Sequence, residues 1–102
     1  MQSRILPVAM ASRKMYELKV KPELDKLFTK LAARNPKQIS IINKKVEEIR
    51  TDPTRYKNLK APLNAWKRVH IDKSFVLCFS VDDATHTVTL EDYDHHDRIY
   101  KS

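Results

Sequence analysis

Four histidines stand in the chain, and three of them have the neighbours that acid–base chemistry needs. His70 follows Arg68 and Trp66 at a spacing of two, which puts all three side chains on one face of a strand. His95 and His96 adjoin near the C-terminus, among Asp94, Asp97 and Arg98. Strand ends of one sheet can converge even when they are far apart in sequence. Metal-free cleavage of RNA asks for such a set. One group takes the proton from a ribose 2′-OH, a second protonates the leaving 5′-oxygen, and cations hold the charge growing on the phosphate. Histidine suits the first two tasks because its ordinary titration range is near physiological pH. Lysine and arginine suit the third. A surface histidine in a strand is more often structural or merely solvated, and His86, beside a turn, has that plainer reading. A metal site from Asp94, His95, His96 and Asp97 is conceivable, but the spacing matches no metal motif. The expectation is that neither metal nor cofactor is used.

The bulk composition narrows the classes. At 102 residues the chain is one domain with a compact core. A net charge of +7 favours an anionic partner, and nucleic acid is the usual one. Glycine is absent, which removes Gly-rich phosphate loops and leaves turns to Asp, Asn, Lys, Ser or Pro. Cys78 is the single cysteine and lies in an apolar run. It reads as a small buried hydrophobe in a reducing, cytoplasmic protein. No apolar run approaches the roughly 20 residues of a membrane helix.

The elements that would position the histidines can be read from periodicity. Residues 1–14 carry Arg4, Arg13 and Lys14 without an acid and show no clear pattern. They are expected to be a disordered extension or the product of a start codon placed too early, with a single domain over 15–102. Tyr16, Leu18 and Val20 alternate with charged residues, as in a half-buried strand. Pro22 suits the first turn of a helix, with Glu23 and Asp25 at its positive end. Leu24, Leu27, Phe28 and Leu31 form its apolar stripe. Asn35-Pro36 ends this helix and caps another, with Gln38 placed for a capping box. Ile39, Ile42, Val46 and Ile49 make the second stripe, which Asp52-Pro53 closes.

After a basic loop over Arg55–Lys60, Trp66–Ile71 reads as a strand, Asp72-Lys73-Ser74 as a turn and Phe75–Val81 as a doubly covered strand. Asp82-Asp83-Ala84 is a hairpin turn and His86–Tyr93 a last strand, with Val88 and Leu90 facing the core. The tail can form a short helical turn. The expected fold is α+β, in the order β-α-α-β-β-β: an N-terminal strand and a two-helix hairpin packed on a small twisted antiparallel sheet.

The segments "WKRVHIDKSFVLCFSVDD" and "VTLEDYDHHDRIY" resemble the RelE/ParE toxin superfamily, and with the preceding elements the similarity spans residues 15–101. "VHIDKSFVLCF" looks most like the YafQ-type branch of mRNA interferases. The resemblance implies a toxin of a type II toxin–antitoxin system that cuts mRNA in the ribosomal A site without metal. It implies as partners a cognate antitoxin, which blocks the site in a hetero-oligomer, and the ribosome with its mRNA; the free toxin would be a monomer, with no membrane involved. By position, His70 and His96 would carry proton transfer, Arg68 transition-state charge, and Tyr100 an aromatic contact to a base. Tyr100 closing the core edge is the other reading. Lys57 stands where that branch often has another histidine and would steady phosphate. Lys60, Lys67, Lys73, His95 and Arg98 complete the expected RNA-binding set.

Two positions depart from the pattern. Phe75 stands where RelE proper has an arginine, and Ser74 where the YafQ-type branch has an acid, with Asp72 two residues earlier. The competing readings are a ParE-like gyrase inhibitor, against which a His pair argues, and an inactive relative that only binds its antitoxin or RNA.

Overall fold

The computed structural model describes residues 15–59 and 65–101, with side chains through Ile99. Residues 1–14 and Lys60, including the expected N-terminal extension, lie outside the described residues.

The chain runs β1 (Glu17–Val20), α1 (Pro22–Arg34), α2 (Pro36–Thr51), a 3-10 turn (Pro53–Arg55), β2 (Lys67–Ile71), β3 (Phe75–Asp82), β4 (Thr87–His95) and α3 (His96–Lys101). Pro22 opens α1 with Glu23 and Asp25 in its first turn. Asn35 then serves both helices. Its N–H donates to the Leu31 carbonyl at the end of α1, and its Oδ1 accepts from the Gln38 N–H at the start of α2. Asp52 repeats the device, closing α2 on Glu48 and accepting from Thr54 in the 3-10 turn.

The expected capping box is only half made. Gln38 does not reach back to Asn35; its Oε1 accepts the buried Tyr93 hydroxyl at 2.7 Å. Tertiary packing offered Gln38 a partner from β4. The stripe of α1 also narrows. Leu24 is buried, Phe28 and Leu31 pack partly on the core, and Leu27 is left 39% exposed. Leu27 stands at one margin of the stripe, where the helix face meets solvent.

The four strands form one sheet in the order β1-β4-β3-β2. β2, β3 and β4 are the expected antiparallel meander, and β1 adds to it in parallel with β4. β1 reaches that place because the helix pair carries the chain across the sheet before β2 begins. Its entrance is fastened: Tyr16 N–H donates to the Arg50 carbonyl, Arg50 Nε donates to the Tyr16 carbonyl, and Glu17 N–H donates to the His86 carbonyl.

α1 and α2 cover one face of the sheet over Ile42, Ile49, Ile71, Leu77, Phe79, Val88 and Leu90. Each fully buried large side chain of this set contributes about 1.5–3 kcal/mol of transfer free energy. Without glycine, the two left-handed positions among the described residues fall to Asp72 (φ 56°) and His86 (φ 57°), residue types that tolerate this region. His86 therefore sits in the turn, and β4 begins one residue later than its alternation suggests. It also continues to His95, two residues beyond the expected end. β2 starts at Lys67, one residue after Trp66.

Candidate active site

Strand pairing puts the chemistry-bearing residues on the sheet face away from the helix pair. His70 pairs with Val76, which pairs with Asp94; Arg68 pairs with Cys78, which pairs with Asp92. Directly paired residues share a face. This face thus carries Arg68, His70, Asp92 and Asp94 around a small second cluster of Leu59, Val76, Cys78 and Ile99, against which Trp66 packs. Arg68 and Asp92 flank Cys78. Burial pushes the Cys78 thiol up to about 12; Asp92 adds to the rise and Arg68 opposes it. A neutral, fully buried thiol is structural here, not nucleophilic.

His96 reaches the same face by a backbone contact. Its N–H donates to the Ser74 carbonyl at 2.7 Å, which ties the start of α3 to the β2–β3 turn. The His70 and His96 rings then stack, with centroids 5.6 Å apart and planes 27° from parallel. His70 is exposed and the His96 side chain is 46% exposed, so both rings are open to a ligand. Asp97 Oδ1 lies 3.6 Å from His96 Nδ1. Two imidazoles side by side on an open face, with Arg68 in the same row, can hold and move protons on either side of one phosphodiester.

The other expected residues are distributed more widely. Lys57 accepts the Arg68 N–H through its carbonyl and has an exposed side chain beside the β2 edge. Lys73 is exposed in the turn next to Ser74. Lys67 lies on the opposite face from Arg68, where its ammonium donates to the Tyr56 carbonyl and Asn58 Oδ1 and clasps the loop to β2. His95 also faces the helix side: it packs edge-on to Phe75 and its Nδ1 accepts the Asp97 N–H. Arg98 is exposed on α3. Tyr100 belongs to the last turn of α3, and its side chain lies outside the described residues, as does Lys60. Among the described residues no group of three His, Cys, Asp or Glu could hold a metal ion, and no helix is long and apolar enough to cross a membrane.

Two features of this face carry no signal in the local pattern. Asp92 and Asp94 join the histidine face only once the β3–β4 register is known. The register slips between Cys78 and Phe79, leaving Glu91 as an extra residue that accepts from Ser80 and pairs with Lys21 at 2.6 Å. Lys21 in turn lies 5.4 Å from the Trp66 ring centroid. The β1 end and the start of β2 are thereby bridged across the sheet.

No family model matches the chain. An uncharacterized protein of Methanosarcina mazei is 63% identical over 86 residues, which cover 84% of this chain and all of that one. A Methanocaldococcus jannaschii protein named "Putative toxin RelE4" is 56% identical over 87 residues, covering 85% of this chain and 93% of its own length. Two solved structures share the fold at low identity. One is the RelBE2 toxin–antitoxin complex of Mycobacterium tuberculosis (TM-score 0.68, 19% identity, 81% of this chain and 93% of that one). The other is the YoeB–YefM complex of Staphylococcus aureus (TM-score 0.68, 17% identity, 79% and 97%). With 56% of 87 aligned residues identical to a RelE-named relative over nearly that relative's whole length, and with the same fold as these toxins, the chain belongs to the RelE superfamily of toxins.

Proposed function

We propose that this RelE-type toxin of a type II toxin–antitoxin system is a ribosome-dependent mRNA endoribonuclease. The stacked pair of His70 and His96 on an open sheet face, with Arg68 in the same row, carries the reading. One imidazole removes the 2′-OH proton, and the 2′-oxygen attacks the adjacent phosphorus. The other imidazole protonates the departing 5′-oxygen. The products are a 2′,3′-cyclic phosphate and a 5′-OH end, and no external reagent is needed. Arg68 stabilises the charge that builds on the phosphate oxygens, with Lys57 as a further cation at the same edge. Tyr100 supplies an aromatic contact to a base. Lys60, Lys67, Lys73, His95 and Arg98 contribute to RNA binding, Lys67 through its hold on the loop.

A cognate antitoxin is the expected partner, since the two solved structures described above are toxin–antitoxin complexes. It would mask this face in a hetero-oligomer in the cytoplasm and leave a monomeric toxin when removed.

The test is direct. Purified protein is added to a translating extract and mRNA ends are mapped by primer extension. Codon-spaced cuts that disappear with His96→Ala support the reading. Uncut mRNA together with DNA breaks in a gyrase assay would replace it with gyrase inhibition. Expression without antitoxin is expected to arrest growth, and normal growth at confirmed levels of folded protein would count against an active toxin.

A further inference from the structure

We propose that a cleft at the same sheet rim, reaching from Asp94 on the histidine face round to Phe75 on the other, is a nucleobase pocket, selective for bases that carry an exocyclic amino group. It builds on the RNA-cleaving reading and names what grips the nucleotide next to the cut.

His95 and His96 are consecutive, so their Cα atoms are about 3.8 Å apart, yet they serve opposite faces. His96 stacks on His70, whereas His95 meets Phe75 edge-on, with centroids 5.6 Å apart and planes at 71°. Phe75 is itself backed by Tyr93 in a nearly parallel stack, 5.3 Å apart and 9° between planes. Phe75 and His95 form one wall of a cleft of about 530 Å³ whose lining also includes Asp94, Asp97 and Arg98. Small-molecule sites occupy about 300–1,000 Å³, so the cleft is large enough for one base.

Its chemistry distinguishes a base from a phosphate. Asp94 and Asp97 outnumber the one guanidinium of Arg98, so the cleft offers an anion no net positive charge. A base, by contrast, finds aromatic surface to stack on, a guanidinium plane in Arg98, and carboxylate acceptors for an amino group. Asp94 spends one oxygen on the His95 N–H at 2.7 Å. Asp97 is 80% exposed and lies 3.8 Å from His95 Nδ1 and 3.6 Å from His96 Nδ1. Adenine, cytosine and guanine offer amino donors to these carboxylates. Uracil presents carbonyl oxygens there and is disfavoured. An RNA strand crossing the rim beside the Asp72–Ser74 turn would place its reacting phosphate over the His70–His96 pair and turn a neighbouring base into the cleft.

The experiment is a titration of the isotope-labelled full chain, followed by NMR, with non-cleavable 2′-O-methyl trinucleotides: all-adenine, all-uracil, and adenine with an abasic centre. The all-adenine probe should move the Phe75, His95 and Arg98 resonances saturably. The all-uracil probe should bind on the order of tenfold more weakly, the scale of one lost stacked base. The abasic probe should leave those three resonances in place. Arg98→Ala and Phe75→Leu, which keeps an apolar side chain against Tyr93, should each weaken the all-adenine probe about tenfold. Equal shifts with all three probes, or none at these residues, would overturn the pocket. These readouts need no cleavage, so an extract in which mRNA stays intact would sink the nuclease reading while the titration still decides this one.

Discussion

Removing the two imidazoles singly and together tests the proposed chemistry most sharply. A positioned acid or base contributes about 10²- to 10⁴-fold to a proton-transfer step, so His70→Ala and His96→Ala should each lower cleavage by that range, about 2.7–5.5 kcal/mol of barrier. Their rings lie 5.6 Å apart, inside the roughly 7–10 Å beyond which substitutions become independent. They are also proposed to act on one phosphodiester. The double variant should therefore fall to nearly the same floor as the worse single one, since groups that work as a unit are strongly non-additive. Stability is the control: His70 is exposed and His96 about half exposed, and such substitutions usually stay within about 0.5 kcal/mol. The assay is single-turnover cleavage of a ribosome-bound mRNA with denaturation curves run in parallel. If the double variant loses the product of the two single losses, the rings act independently and the shared-phosphodiester mechanism is wrong. If neither single variant loses tenfold, the pair is not the acid–base couple.

Other predictions concern the scaffold beneath the site. Tyr93→Phe strands the Gln38 Oε1 in the interior and should cost about 1–3 kcal/mol, whereas adding Gln38→Met should recover part of it; urea titrations of the four forms measure the coupling. Asn35→Ala removes the cap of α2 and should cost about 1 kcal/mol by the same assay. Cys78 should resist thiol reagents at pH 8 in the folded chain and react on unfolding, because its pKa near 12 keeps it neutral. Burial raises Cys78, burial raises Tyr93, the Asp83 hydrogen bond raises Tyr16 and the Glu91 hydrogen bond raises Lys21. Each raised group contributes stability that is complete below its unfolded pKa and lost as pH rises toward its folded one. The denaturation midpoint should thus hold to about pH 8.5 and fall above it, and Cys78→Ala should flatten the first part of the fall. A midpoint that rose between pH 9 and 11 would contradict all four shifts.

The amino-acid sequence alone settled what depends on near neighbours. The Pro22 and Asn35-Pro36 signals, the stripes through Leu24 and Ile42, and the alternation of Trp66, Arg68 and His70 are local in origin, because caps and periodicity act over a few residues. Those cues were enough to order the elements and to bring His70 and His96 forward as candidates. What they could not reach was every relation between distant strands. The parallel place of β1, the slip at Glu91, the partner found by Gln38 and the exposure of Leu27 all follow from packing over the whole chain. The site shows the division most clearly. His95 and His96 are neighbours of the same type, and only the β3–β4 register, with the Ser74 carbonyl holding the His96 N–H, sends one to Phe75 and the other to His70. A strand inverts its side chains at every residue, so a single step of register decides which face a residue serves.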